Sequence, residues 1–175
     1  MMIDVLGLPM DLFLIISFPL AFIVHDVEEI VVQHKWMSTH KEDLLRRFPR
    51  AKRIVFHLSG LSTKAFSIAV LEELVLLLIA TAYILVGGPY ANELWIALFL
   101  AFSIHFVIHL VQGIIVRDYI PGLITSILLI PYSLFCIDNI CGETSYGKIA
   151  LLAAIGLATI AANLRFAHWL GNKLS

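Results

Sequence analysis

From Phe22 to Val32 the chain reads Phe-Ile-Val-His-Asp-Val-Glu-Glu-Ile-Val-Val, an apolar run interrupted by one imidazole and three carboxylates. Runs of this kind are lipid-soluble, and an acid near the middle of a bilayer costs roughly 2.5–3.5 kcal/mol on insertion scales. Such groups face a protein interior, and they mark a functional site until another explanation is found. On a helix, His25, Glu28 and Glu29 stand at i, i+3 and i+4 and share one face, whereas Asp26 is expected to point elsewhere. The rest of the chain must therefore supply partners for an imidazole and two carboxylates.

The background is apolar enough for this reading. Of the 175 residues 60% are hydrophobic and 14% charged, and mean hydropathy is +0.93, against about 25% charged residues in soluble domains. An all-α, single-domain, polytopic membrane protein is expected, with five spans near residues 12–36, 65–86, 94–116, 119–137 and 149–170. No basic n-region or small-residue cleavage site marks a signal peptide. No nucleic-acid motif is present, and nucleic acid is not expected as a partner.

Eight of the twelve Lys and Arg fall between Lys35 and Lys64. Within this stretch, residues 41–59 mix Leu44, Leu45, Phe48, Ile54, Val55 and Leu58 with the cations, the pattern of an amphipathic segment on a membrane surface, divided at Pro49. The charge bias places this segment in the cytoplasm of a bacterial inner-membrane protein, with the N-terminus outside and the C-terminus inside. Lys148 alone runs against the bias. Cys136 and Cys141 fall at the outer end of the fourth span, where a disulfide and two free thiols are equally compatible with the spacing.

Further ionisable groups lie inside the other spans. Glu72 and Glu73 belong to the second, His105 and His109 to the third as an i, i+4 pair, and Asn163, Arg165 and His168 to the fifth. At 1.5 Å of rise per residue, Glu29, Glu72, Glu73, His109 and His168 all fall about 8–14 Å from the basic end. Four helices running in alternating directions thus bring their polar groups to one height. Ala65, Ala69 and Ala80 on the second span, and Ala154, Ala158 and Ala161 on the fifth, suit close helix approach.

The inventory of metal-ligand candidates is His25, Glu28, Glu29, Glu72, Glu73, His105, His109 and His168. Imidazole with carboxylate suits zinc, iron or manganese, and one or two divalent ions would neutralise the acids. Carboxylates outside the ligand set, Glu28 or Glu73, would act as general base, and Arg165 as a counter-charge or an anchor for an anionic headgroup. Asn163 is read as a helix-joining or supporting group, and His34, His40 and His57 as solvated, with His57 alone able to cap the site.

His25-Asp26-Val27-Glu28-Glu29 resembles the motif of the HXXEE family of small integral membrane proteins, and the His105/His109 pair further along agrees with it. The resemblance implies a membrane-embedded, His/Glu-based, enzymatic site and supplies neither substrate nor reaction. The expected function is a metal-dependent enzyme acting on a lipid-like or amphipathic substrate within the membrane. Zinc would serve hydrolysis and iron an oxidation. The alternatives are a proton- or metal-coupled transporter using the same relay, for which Glu28-Glu29 and Glu72-Glu73 hint at an inverted repeat, and a structural membrane protein. Homo-oligomerisation is left open.

Overall fold

Where no water competes, a backbone most simply satisfies its N–H and C=O groups as helix. The computed structural model describes residues 4–5, 8–142 and 144–175, and nearly all of them are helical. A two-residue antiparallel pairing, β1 (Asp4–Val5) with β2 (Leu8–Pro9), precedes α1 (Met10–Arg47), α2 (Lys52–Ser59), α3 (Thr63–Leu85), α4 (Ala91–Val116), α5 (Leu123–Cys141) and α6 (Tyr146–Leu174). Five of these, all but α2, are long and apolar enough to cross a membrane. Their outward faces carry large exposed aliphatics such as Val31, Leu71, Ile79, Ile114 and Leu128, a surface that monomeric soluble proteins avoid.

The element boundaries depart from expectation in two places. α1 runs on past Trp36 to Arg47, 38 residues in all, about 57 Å, nearly twice the hydrocarbon thickness. The front half of the amphipathic segment is therefore the end of α1. A 3-10 turn at Pro49–Ala51 then breaks the chain, and α2 folds back so that Val55 packs on Met37 and Leu44. The fourth span begins four residues later than expected. Arg117 and Gly122 adopt left-handed backbone (φ 57° and 79°), so residues 117–122 form a turn, and Pro121 lies before α5 rather than in its first turn. Cys136 and Cys141 both fall within α5 as free, buried thiols. Five residues apart, they point about 140° from each other around the axis.

α6 packs between α3 and α4. Gly156 lies against Ala97 of α4 and Gly171 against Ala65 of α3, so close that a Cβ at either glycine would strike backbone. Ala154, Ala158 and Ala161 are exposed. The close-approach surface of α6 is thus Gly156, Ala167 and Gly171, on the other side from the alanines read as its packing stripe. An aromatic cluster of Phe18, Phe99, Phe102 and Phe106 fills the space between α1 and α4.

The two ends of the bundle differ in charge. At one, Arg47 donates to the last carbonyls of α4 (Val116 O, 2.7 Å), and Arg46 and Arg47 hold the exposed Asp43 carboxyl below its usual range. At the other, Lys148 is paired with Glu93 at 2.8 Å. The one cation that runs against the charge bias is therefore neutralised locally.

Candidate metal centre

Helical spacing builds the site from two elements. His105 and His109 are one turn apart on α4, and their Nε2 atoms meet at 2.9 Å. α1 faces them with His25 and Glu29, and His109 Nε2 lies 3.3 Å from Glu29 Oε1. One ligand atom from each of His25, Glu29, His105 and His109 falls within 4.8 Å of all the others. The His25 ring stands edge-on to both histidines of α4, at centroid distances of 5.1 and 5.0 Å. His25 is wholly buried and His109 is 6% exposed.

The hydrogen bonds settle which nitrogen of His25 is available. Thr125 Oγ1 donates its one hydrogen to Glu28 Oε2 at 2.6 Å, in preference to the Gly122 carbonyl at 3.4 Å. Toward His25 Nδ1, 3.0 Å away, the hydroxyl must then accept, so Nδ1 carries the ring proton. His25 Nε2 is left as a buried lone pair without a hydrogen-bond partner. This is how ligating histidines are oriented in metalloproteins, with the far nitrogen donating to a carboxylate or an intermediary.

Glu28 shares a face with Glu29 but has a different task. Its carboxylate accepts from Tyr119 Oη (2.6 Å), the Ile124 amide (3.3 Å), the Thr125 amide (2.8 Å) and the Thr125 hydroxyl. It thereby caps the amino end of α5, where orphan N–H groups and the helix dipole favour an anion. All four of its hydrogen bonds come from Tyr119 and the first turn of α5, and Glu28 stands outside the group of four. Where a ligand or base is expected, Glu28 is engaged by α5, because α5 starts at the height of the motif. Thr125→Val is expected to keep the fold and weaken metal binding about 10–100-fold. Competition with a chromogenic chelator measures this, and unchanged affinity would show that the Thr125 relay is idle.

Gly122 closes the other side. A Cβ there would lie 2.9 Å from His109 Cε1, 3.0 Å from His25 Cε1 and 3.1 Å from Glu29 Oε1. The turn before α5 therefore presses bare backbone onto three of the four candidate ligand side chains.

The family model described as "Protein of unknown function with HXXEE motif" matches residues 16–136. That is more than half of the chain, and it takes in His25, Glu29, His105, His109, Gly122 and Thr125. The chain belongs to the HXXEE family. No curated protein and no solved structure is significantly similar to it. In this HXXEE protein the motif is divided between functions: its histidine and last glutamate converge with the histidines of α4, and its first glutamate anchors α5.

Of the other expected site residues, Glu73, Asn163 and His168 line a cavity of about 320 Å³ bordered by α1, α3, α4 and α6. Glu29 and His105 form part of its wall, so the cluster opens onto it, while His25 and His109 stand behind. Glu73 faces this cavity with its Oε1 buried and unpartnered. Glu72 turns to α6, where Asn163 Nδ2 donates to it at 3.1 Å, so Asn163 is the helix-joining group. His168 also lines the cavity, but its Nδ1 is paired with His57 Nε2 of α2 at 2.9 Å, away from the tetrad. Arg165 is exposed on α6 and makes no ion pair among the described residues, so nothing places it against the site.

Asp26 is the residue the sequence reading misplaced. It is 6% exposed and lines the cavity beside Glu29 and Glu73. Its signal was available, since a third acid in an apolar run needs burial against something, and i, i+3 sets it beside Glu29. Thr125, Tyr119 and Gly122 carried no comparable signal.

Proposed function

We propose that this HXXEE protein is a membrane-embedded metal-dependent enzyme acting on a lipid-like substrate held in the cavity, with the basic end of the bundle in the cytoplasm of a bacterial inner membrane. One observation carries the reading: four ligand atoms from two helices lie within 4.8 Å of one another, and the His25 lone pair among them has no other partner. Three imidazoles and a carboxylate suit zinc best and also accept iron or manganese.

A bound divalent ion would supply Lewis acidity beside the cavity wall. The chain does the rest. Thr125 and Glu28 hold the His25 tautomer, and Gly122 seals the far side of the cluster. Glu29 and His105 present the site to substrate. Glu29 completes the ligand set or, at the cavity edge, takes a proton; Glu73 and Asp26 are the further bases within that chamber.

The second reading, a proton- or metal-coupled transporter, draws on Glu29 and Glu73 facing one cavity from α1 and α3. Against it, the part of the cavity away from these acids is walled by Leu76, Leu77, Ala80, Leu94 and Leu98, so the polar groups do not continue across the bundle. The test is turnover by reconstituted protein supplied with a bacterial lipid extract, loaded with zinc or, under oxygen, with ferrous iron. A product that gains the elements of water identifies a hydrolase, and one that gains an oxygen atom an oxygenase. Glu29→Gln should lower either rate about 10²-fold or more. Ion flux without chemical change would replace the enzyme by the transporter.

A further inference from the structure

The same cavity says what kind of head its occupant carries. Its wall includes three carboxylates, Asp26, Glu29 and Glu73, and not one Lys or Arg. Asp26 takes part in no hydrogen bond or ion pair among the described residues, and Glu73 Oε1 is buried without a partner. Phe66, Val70 and His168 line the cavity on one side of the acids, and Leu76, Leu77, Ala80, Leu94 and Leu98 on the other. From His105, beside the acids, to Leu94 is eleven residues along α4, about 16 Å, and that side is aliphatic. At about 30 Å³ for a water-sized group, the volume of about 320 Å³ holds roughly ten such groups in file. That is about the volume of one hydrocarbon chain and too little for a two-chain lipid.

We infer that the cavity binds a single-chain amphiphile with a cationic head, a long-chain primary amine, its ammonium group against Asp26 and Glu73 and its tail toward Leu94 and Leu98. The proposed ion would offset Glu29 but not Asp26 and Glu73, and a fatty acid or phosphate ester would add a further anion beside these two with no Lys or Arg in the wall. Repulsion and desolvation then add. An alcohol head would fill the space but leave the acids unneutralised. An ammonium both donates hydrogen bonds to the carboxylates and compensates their charge. This inference rests on the proposal that the chamber serves the metal centre, and it names the substrate class.

Native mass spectrometry of the detergent-purified protein with dodecylamine, dodecanol or dodecanoate tests it. Dodecylamine should form a one-to-one adduct at least about tenfold tighter than dodecanol, with no dodecanoate adduct. Asp26→Asn with Glu73→Gln should weaken the amine about tenfold or more and leave the alcohol unchanged. Ala80→Leu, at the aliphatic end, should shift the preference from dodecylamine toward octylamine, with the metal content unaltered. Dodecanoate binding as tightly as the amine, or an amine adduct indifferent to the acid variants, would overturn the assignment. Metal-stripped protein separates the two readings. Amine adducts kept without metal support the chamber assignment by themselves, and their absence from metal-loaded protein refutes it while leaving the metal centre standing.

Discussion

His109→Ala is expected to lower divalent-metal affinity at least about a hundredfold while the helical content stays that of the parent protein. Its Nε2 is the hub of the cluster, 2.9 Å from His105 Nε2 and 3.3 Å from Glu29 Oε1. Losing a group that merely orients a ligand costs about 10–100-fold, and losing the ligand itself costs at least the upper end of that range. The consequence for stability follows from linkage. A metal bound at a hundred times its Kd stabilises the folded chain by about 2.7 kcal/mol. Zinc should therefore raise the thermal unfolding midpoint of the parent and leave that of His109→Ala nearly unmoved. Equal zinc-induced shifts in the two proteins would remove His109 from the ligand set.

Gly122→Ala should have a comparable effect from a residue that binds nothing. At φ 79° an L-side chain pays roughly 1–2 kcal/mol for left-handed backbone. Its methyl group would also meet His109, His25 and Glu29 at 2.9–3.1 Å, and overpacking of this kind costs about 1–3 kcal/mol. The cheapest relief is to push the ligand rings apart. Metal affinity is thus expected to fall with stability, whereas Gly142→Ala, at another positive-φ glycine (φ 40°) with nothing closer than 3.9 Å, should lose stability alone. Parallel metal titrations and thermal melts of the two variants separate backbone strain from the local clash. Full metal affinity in Gly122→Ala would show that the turn does not seal the site.

Helical period explains why some of this was legible in the sequence. His25 and Glu29, like His105 and His109, sit one turn apart in apolar runs, and that pattern survives any detail of packing. The division of labour between neighbours did not survive. Glu28 and Glu29, or Glu72 and Glu73, differ by 100° around an axis, and only the rotation set by the partner helices decides which acid meets the cluster or cavity. Glu28 stands outside the group of four because α5 begins four residues late and offers it an amino end to cap. That start depends on Arg117 and Gly122 in left-handed backbone, which no hydrophobic pattern announces. His168 lies at the expected height, yet His57 of α2 engages it, because the amphipathic segment folds back onto the bundle instead of lying apart from it.

The central claim is that three imidazoles and Glu29 hold one divalent ion. X-ray absorption at the zinc edge of purified, zinc-loaded protein tests it most directly, together with the zinc content per chain. The account predicts one zinc bound per chain at the tetrad, with three imidazole nitrogens and an oxygen in its inner sphere, and one imidazole fewer in His25→Ala. Zinc that is absent after loading, or a sphere of oxygen ligands that His25→Ala does not alter, would contradict it.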